Sequence, residues 1–304
     1  MTQDRPRLAV CVLVCTVFAL SFGDALVRKM GLAADYQMSI WQIVFLRSLI
    51  ALPILLLLCA RRLSRTTFMP NRWVLLRSAM LAVMWVFYYA ALSRMPFSVA
   101  AAAYYTLPLF ILVFSALFAG ERIGGIGAIG IVLGFVGVLI ITNPRASGVS
   151  LWLLMPLCAA MLYALSMILT RTRCATNSIW TLAIWLNVTF VAVGGAGLVL
   201  LPDGASTEVW RSTWVPVSGA GWRVMLVSAI AIVIGAVGTA FAYQRAPSAM
   251  LGAFDFSYLA FAILWGWLMF GEAVDAPTLF GILLIVVAGG LALMTSGSIR
   301  TTEA

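Results

Sequence analysis

The sequence contains no histidine and few charged residues. Only 10% of its 304 residues are Asp, Glu, Lys or Arg, and ten residues are acidic. Without histidine the chain cannot carry the His-Glu-x-x-His motif of metal-dependent hydrolases. It also lacks a Gly-rich loop ending in Gly-Lys-Ser/Thr, so any ATP drive would have to come from another protein.

Cysteine is scarce as well. The five cysteines form no Cys-x-x-Cys pair and lie within or at the ends of apolar stretches: Cys11, Cys15, Cys59, Cys158 and Cys174. This spacing predicts neither a zinc site nor a disulfide framework. Cys11 and Cys15 share a helix face, where small apolar packing is strongly favoured over metal ligation. We therefore expect no metal and no other cofactor.

Apolar residues dominate what is present. Hydrophobic residues make up 63% of the chain, and the mean hydropathy is +1.08, which indicates an integral membrane protein. Strands of a barrel would alternate over about ten residues, a pattern that is absent. The sequence predicts an all-α membrane protein embedded in the lipid bilayer, with ten transmembrane helices of about 20 residues. They lie near residues 8–27, 38–60, 73–92, 97–119, 124–142, 150–170, 178–201, 222–243, 248–270 and 276–295.

The net charge of +9 does not indicate a nucleic-acid partner. Most of the 19 Lys and Arg residues lie between the predicted spans, with an excess on the side of the N-terminus. By the positive-inside rule, we expect both termini in the cytoplasm. The first apolar run follows a basic start but has no small-x-small cleavage site, so we interpret it as a retained span.

Two stretches of the chain match each other without a gap. "SRMPFSVAAAAYYTLPLFILVFSALFAGERIGG" from residue 93 aligns with "QRAPSAMLGAFDFSYLAFAILWGWLMFGEAVDA" from residue 244, an offset of 151 that matches Arg, Pro and Gly-Glu. This predicts an internal duplication into residues 1–146 and 147–304. Each half holds five spans, an odd number, so the second copy would enter the membrane from the opposite side. Inverted repeats of this kind are typical of secondary transporters.

The repeated stretches, together with "FLRSLIALPILLLL" and "AAMLYALSMILTR", resemble carriers of the drug/metabolite transporter superfamily with two EamA-type domains. The resemblance implies ten helices as two inverted five-helix repeats, a bacterial inner-membrane location, and movement of small metabolites, often outward. It leaves the substrate open, because similar proteins are associated with amino acids, sugars, nucleotide-like or flavin-like compounds, and metallophores. Many relatives carry glutamate where this chain has Asp255.

Three charged residues fall inside predicted spans: Asp24, Arg47 and Asp255. Each costs about 2.5 to 3.5 kcal/mol unless it is paired or wetted. Asp24 either pairs locally with Arg28 or Lys29, or lines a cavity. Arg47 lies too deep to reach water easily. It either forms a structural pair with Asp24 or Asp255, or binds a substrate carboxylate with its guanidinium fork.

Asp255 shares a helix face with Gly252 and Tyr258, and its counterpart in the first copy is Tyr104. The two half-sites are therefore chemically unequal. Asp255 lines a cavity, forms a structural pair, or lies at a helix end. Gly252 would allow a second helix or a ligand to approach closely. Arg77, about one turn inside its span, is expected to snorkel to the membrane surface.

Further candidates combine a place in a span with a side chain able to contact a solute: Trp85, Tyr88, Tyr104, Tyr105, Tyr163, Ser166 and Asn187. Taken singly, each aromatic residue is better explained by an interfacial belt or a lipid-facing position, with Tyr104 and Tyr105 the stronger candidates, and the polar ones could simply link helices. Pro108 predicts a kink just after the paired tyrosines. A glycine stripe from Gly127 to Gly137 predicts close helix packing and permits a homodimer.

The leading hypothesis is a secondary carrier, not an enzyme, that moves a small polar or zwitterionic metabolite through an aromatic-lined cavity. Arg47 would face its carboxylate, and Asp255 or Asp24 its amine. Export of an amino-acid-like compound, such as an opine-type metallophore, is favoured over uptake of a flavin-like aromatic compound. If protons drive transport, a membrane carboxylate must carry them, with Asp255 as first candidate. A remote alternative is an intramembrane aspartyl protease, since "SFGD" and "FD" approximate its two motifs in reversed order.

Overall fold

The computed structural model describes residues 6–32, 38–62, 65–92, 94–95, 97–120, 124–142, 151–201, 214–272 and 275–296. Within these ranges the regular structure is helical, with short 3-10 turns at Ala60–Arg62 and Leu151–Leu153. The α-helices are, in chain order, α1 Pro6–Leu32, α2 Ile40–Cys59, α3 Arg65–Phe68, α4 Arg72–Leu92, α5 Phe97–Tyr104, α6 Leu107–Phe118, α7 Gly125–Thr142, α8 Leu154–Thr172, α9 Ile179–Leu200, α10 Gly219–Arg245, α11 Ser248–Asp255, α12 Ser257–Phe270 and α13 Ala276–Ser296.

The described helices have the length and polarity of membrane segments. Seven stretches are long and apolar enough to cross a bilayer: Pro6–Met30, Ile40–Cys59, Arg72–Leu92, Leu154–Thr172, Ile179–Leu200, Gly219–Arg245 and Met250–Phe270. The helix Leu107–Phe118 and the segment Ala128–Gly137 within α7 are apolar but shorter. Large apolar side chains face outward, with Leu57 78% and Val199 82% exposed, as a lipid-facing surface requires. The all-α membrane class is confirmed, whereas ten crossings stay a prediction.

Serine residues fix the starts of three long helices. Ser39, Ser178 and Ser218 are the N-caps of α2, α9 and α10, and each side chain accepts a hydrogen bond from a backbone N–H of the first turn. These N–H groups have no partner within the helix, so the hydroxyl satisfies one that would otherwise be lost.

The main helix contacts join the two halves of the chain. α1 packs on α10, α2 on α9, α4 on α8, and α7 on α13. Each pair takes one helix from residues 1–146 and one from residues 147–304, so the two halves share one core. The predicted boundary at 146/147 lies outside the described residues.

Two helices are interrupted in the same way, 151 residues apart. α5 ends at Tyr104, where Thr106 donates its hydroxyl to the Ala103 carbonyl over 3.0 Å. α11 ends at Asp255, where Ser257 donates to the Phe254 carbonyl over 2.7 Å. The first break confirms the interruption that Pro108 predicts, because proline has no N–H for the ladder.

The helices after these breaks end alike as well. Gly120 and Gly271 have φ values of 66° and 64°, the left-handed conformation that glycine adopts without a steric cost. These positions are again 151 residues apart. The glutamate that follows is described at Glu272, while Glu121 lies outside the described residues.

Two glycines of the α7 stripe are used inside this chain. A side chain at Gly130 would come within 3.0 Å of the Ala288 carbonyl oxygen on α13, and one at Gly134 would meet the Phe256 ring at the second break. The predicted close packing is therefore confirmed between α7 and α13. These contacts do not test the homodimer, which stays a prediction.

Candidate functional site

The site residues predicted from the sequence are all buried in the helix bundle. They come from seven segments, with each interrupted helix counted once, and fall into two groups, one around Asp24 and one around Asp255. Between them lie the tyrosines. The buried set is Asp24, Arg47, Trp85, Tyr88, Tyr104, Tyr105, Tyr163, Ser166, Asn187, Asp255 and Tyr258.

Asp24 on α1 accepts hydrogen bonds from two phenols. Tyr89 donates to Oδ1 over 3.4 Å, and Tyr258 donates to Oδ2. The hydroxyl of Tyr258 lies 3.2 Å from that of Tyr88, so α4 and α12 meet at this carboxylate. Asp24 is 1% exposed, and a carboxylate removed from water in this way needs such donors.

Arg47 on α2 is joined to Asp24 through Tyr89. Nη1 of Arg47 donates to the Tyr89 hydroxyl, which in turn donates to the carboxylate. Of the two alternatives for Arg47, a structural pair with Asp24 takes an indirect form here, because Tyr89 bridges the two side chains. A neutral phenol separates the two buried charges.

One edge of the Arg47 guanidinium has no hydrogen-bond partner. The group lies 5.4 Å from the ring centroid of Tyr89 and 5.6 Å from those of Trp85 and Phe190, distances at which rings attract a cation. Its Nε and Nη2 are buried without a hydrogen-bond partner. These two nitrogens form the edge that binds a carboxylate with two parallel bonds.

Asp255 is the last residue of α11 and has a single described donor. Tyr243 on α10 donates its hydroxyl to Oδ2. The carboxylate is 1% exposed although the helix ends there. On the same face, a side chain at Gly252 would lie 3.1 Å from Ile111 of α6. The glycine thus admits a neighbouring helix rather than a ligand.

Tyrosine rings fill the space between the two carboxylates. Tyr105 stacks on Tyr258 with centroids 4.7 Å apart, and Tyr104 lies 4.8 Å from Tyr88 and 6.0 Å from Tyr163. Seven of the eight tyrosines in the chain are buried here, whereas membrane proteins commonly place tyrosine at the interface. We refer to this set as the tyrosine cluster: Tyr88, Tyr89, Tyr104, Tyr105, Tyr163, Tyr243 and Tyr258.

Ser166 and Asn187 bond to their own helices. The Ser166 hydroxyl donates to the Tyr163 carbonyl over 2.7 Å, and Asn187 Nδ2 donates to the Ala183 carbonyl over 3.0 Å. Neither bond links two helices. Asn187 Oδ1 is buried without a partner, and the residue lies one turn from Phe190, which contacts Arg47.

Arg77 is placed differently from expectation. Arg77 is fully buried, so the prediction that it snorkels is wrong. Its Nε donates to Thr170 Oγ1 over 2.6 Å. The α8 helix that carries Thr170 packs along α4 and closes the path to water.

Arg28 forms an ion pair with Glu272 instead of Asp24. The Arg28 guanidinium also lies 4.3 Å from the Phe270 ring, and Glu272 accepts the backbone N–H of Phe97 over 3.1 Å. These contacts link the end of α1 to the end of α12 and to the start of α5. Lys29 is exposed, so the predicted local partners of Asp24 are both directed elsewhere.

Sequence reasoning missed Tyr243 and left Tyr89 out of the site. Both are tyrosines in otherwise apolar spans, which is a weak signal when read singly. In the alignment of the two copies Tyr243 falls one helical turn beyond Tyr89. Their roles depend on contacts with α11, α1 and α2 that only the tertiary structure supplies.

The arrangement suits binding better than catalysis. Each aspartate has its own tyrosine donors, whereas an aspartyl protease requires two carboxylates sharing one site. No group of three or more His, Cys, Asp or Glu residues that could hold a metal ion occurs in the described part of the chain. The cysteines are free thiols.

Comparison with known proteins agrees with these features. Residues 7–143 match the EamA-like transporter family. The chain is 27% identical over 289 residues to the pseudopaline exporter CntI of Pseudomonas aeruginosa, covering 95% of this chain and 96% of that protein. It is 31% identical over 199 residues to a riboflavin transporter of Rhizobium johnstonii, covering 66% of this chain and 62% of the relative.

A crystal structure shares the fold. The two chains superpose with a TM-score of 0.74 at 18% sequence identity. The superposition covers 97% of this chain and 98% of the chain in the crystal structure. The family and the relatives are named as transporters, and the helices described above are those of a multi-pass membrane protein. Residues 7–143 thus match an EamA-like transporter domain, and the chain is similar to members of the drug/metabolite transporter superfamily.

Proposed function

We propose that this protein is a secondary carrier of the bacterial inner membrane that exports a small, polar, amino-acid-like metabolite. An opine-type metallophore, with carboxylates and an amine in one small molecule, is the specific candidate. Both termini lie in the cytoplasm in this proposal. The outward direction is supported by the similarity to a pseudopaline exporter over 95% of the chain.

The observation that carries the proposal is the open edge of Arg47. Two of its nitrogens lack partners inside an aromatic pocket, while its third bonds Tyr89. A buried guanidinium with a free edge suits a carboxylate that arrives with the solute. Asp24 balances the charge of Arg47 within the protein, because Tyr89 connects the two groups.

Two inverted five-helix repeats would let this site open alternately to the two sides of the membrane. The recurrence of the helix breaks and of the left-handed glycines at an offset of 151 residues supports a duplicated architecture. Discontinuous helices at the meeting of such repeats commonly line the binding site of secondary transporters. Tyr104 and Asp255 end the two broken helices, and we assign them to the unequal half-sites.

Asp255 is proposed to hold the solute's amine or the coupling proton. With Tyr243 as its described donor, it has less internal support than Asp24. Its position at a helix end allows the backbone around it to rearrange during transport.

Uptake of a flavin-like compound is the second candidate. The tyrosine cluster favours it, since Tyr105 and Tyr258 already stack face to face at 4.7 Å and a flat ring could insert between such surfaces. Similarity to riboflavin transporters covers 66% of the chain.

The test compares metabolites in cells and medium with and without the gene, followed by flux measurements in proteoliposomes. Export predicts protein-dependent loss of a carboxylate-bearing amine from the cells, and counterflow of that compound but not of riboflavin. The matched variant is Arg47→Met, which should abolish counterflow of the carboxylate. Protein-dependent accumulation in the cells would contradict export.

A further inference from the structure

Arg77 on α4 is a buried cation that the proposed binding of solute at Arg47 does not use. The residue is fully buried, and Nε bonds Thr170. Both Nη atoms are buried without a hydrogen-bond partner. Since a guanidinium has five N–H donors, four of them lack an acceptor.

The charge of Arg77 has no ionic partner among the described residues. The ion pair between Arg28 and Glu272 does not involve Arg77. Removing a charge from water without a counter-ion is expensive. Arg47, in contrast, is connected to Asp24 and enclosed by rings. A buried guanidinium without a counter-ion is suited to an anion that arrives and departs.

Arg77 lies on a line of polar groups that leads to the tyrosine cluster. Tyr88 follows it by eleven residues on the same helix face, about 16 Å further along α4. On α8, Tyr163 precedes Thr170 by two turns. Arg77 thus marks the end of this line on the side where α4 begins.

The two arginines present different edges. Thr170 holds Nε of Arg77, and the Thr170 hydroxyl is itself fixed by donating to the Ser166 carbonyl over 2.8 Å. The two Nη atoms have no hydrogen-bond partner and form the edge that binds an oxyanion end-on. Arg47 offers Nε and Nη2 instead. Both edges suit a carboxylate with two parallel bonds, which lysine cannot supply.

We propose that Arg77 is a second anion-binding position, which receives a carboxylate of the transported solute on the side where α4 begins. Arg47 holds that carboxylate at the tyrosine cluster. This inference rests on the proposed function. The two positions are too far apart for one small carboxylate to contact both, so the solute occupies them in turn as access alternates.

The decisive experiment measures transport from each side separately. Protein reconstituted with known orientation is given N-(1-carboxyethyl)-L-alanine, a dicarboxylate opine, with its dimethyl ester as the neutral control. Arg77→Met should raise KM by about tenfold from the side where α4 begins, and by less than about twofold from the other side. Arg77→Lys should recover only part of the loss, because it restores charge without the fork.

Binding in detergent keeps the proposal testable if a variant transports poorly. The opine should raise the Tm of Arg47→Met protein but not of Arg47→Met/Arg77→Met protein. Without ligand, Arg77→Met should melt above the wild type, since it removes an unpaired charge. If Arg77→Met lowers Tm and leaves KM unchanged from both sides of the membrane, Arg77 is purely structural and the assignment is overturned.

The remaining outcomes separate the two proposals. Equal stabilisation by chloride and by the opine would make Arg77 a site for inorganic anions and overturn its role toward solute. Wild-type protein that moves none of the carboxylate compounds would contradict the proposed function instead. If the wild type transports the opine and Arg77→Met leaves KM unchanged from both sides of the membrane, only the Arg77 inference is contradicted.

Discussion

Asp24 and Asp255 are equally buried but differently supported. Asp24 accepts hydrogen bonds from two tyrosines and is connected through Tyr89 to Arg47. Asp255 accepts one described hydrogen bond, from Tyr243, at the end of a helix. The first carboxylate thus has its balancing charge inside the protein. The second is left to be balanced by something mobile, which in the proposed mechanism is an amine or a proton.

The comparison teaches that equal burial does not mean an equal role. A charge with an internal partner stabilises one arrangement of helices, whereas a charge with little internal support responds to what enters the site. Substitutions at the two aspartates and at their neighbours should separate these roles.

The largest effect is expected from Asp255→Asn. Asparagine keeps the shape of the side chain but neither pairs ionically with an amine nor exchanges a proton. Flux of the carried solute in proteoliposomes should fall by about a hundredfold, the equivalent of one lost charge-assisted contact, and should no longer respond to an imposed proton gradient. Asp255→Glu is the control and should retain much of the flux. Full, gradient-sensitive flux in the asparagine variant would contradict this role.

Asp24→Asn should act mainly on stability. It leaves Arg47 as a buried cation without its balancing charge, which should lower the free energy of unfolding by about 3 kcal/mol. The measurement is thermal unfolding in detergent. Adding Arg47→Met to the same protein should restore most of the loss, while Asp255→Asn alone should stay within about 1 kcal/mol of the wild type. Equal destabilisation by the two asparagine variants would remove the contrast.

The tyrosine donors should show a smaller version of the same contrast. Tyr243→Phe removes the described donor of Asp255 and should raise KM by about tenfold. Tyr258→Phe leaves Tyr89 on Asp24 and should raise KM by only about threefold. Both variants keep the ring, so stacking is preserved. The opposite ranking in a flux assay would mean that Asp24, not Asp255, takes the mobile partner.

The smallest effect is expected where a charge pair lies away from the tyrosine cluster. Glu272→Gln weakens the Arg28 contact but keeps an acceptor for the Phe97 N–H, so the loss should be at most about 1 kcal/mol. A modest decrease in Tm measures it. Lys29→Gln, an exposed neighbour on the same helix, should leave Tm unchanged. A decrease as large as that of Asp24→Asn would show that this tie dominates the fold.

Hydropathy was sufficient to predict the class of fold and the burial of the site. Apolar length places Asp24, Arg47 and Asp255 inside spans because no polar stretch interrupts them. Pro108 predicted one helix break, since its chemistry is local. The equivalent break at Asp255 has no proline and becomes visible only through its correspondence with Thr106 and Ser257.

Partners between helices could not be predicted. The prediction for Arg77 judged depth from the end of its own helix, but snorkelling also depends on whether another helix covers that end, and α8 does. The indirect link between Arg47 and Asp24 was not foreseen for a related reason. A charge partner was sought among charged residues, while the protein uses the neutral Tyr89 as the connection.

The concentration of tyrosine in the interior leaves aromatic anchoring at the membrane surface to other residues. The exposed aromatics include Trp214, Trp222 and Trp267, and tryptophan suits that role. As a result, the two aromatic residue types report on different places. Replacing tyrosine biosynthetically with a fluorinated analogue would put seven of eight ¹⁹F resonances in the central cluster. Their chemical shifts would follow solute arrival with little background from the lipid boundary.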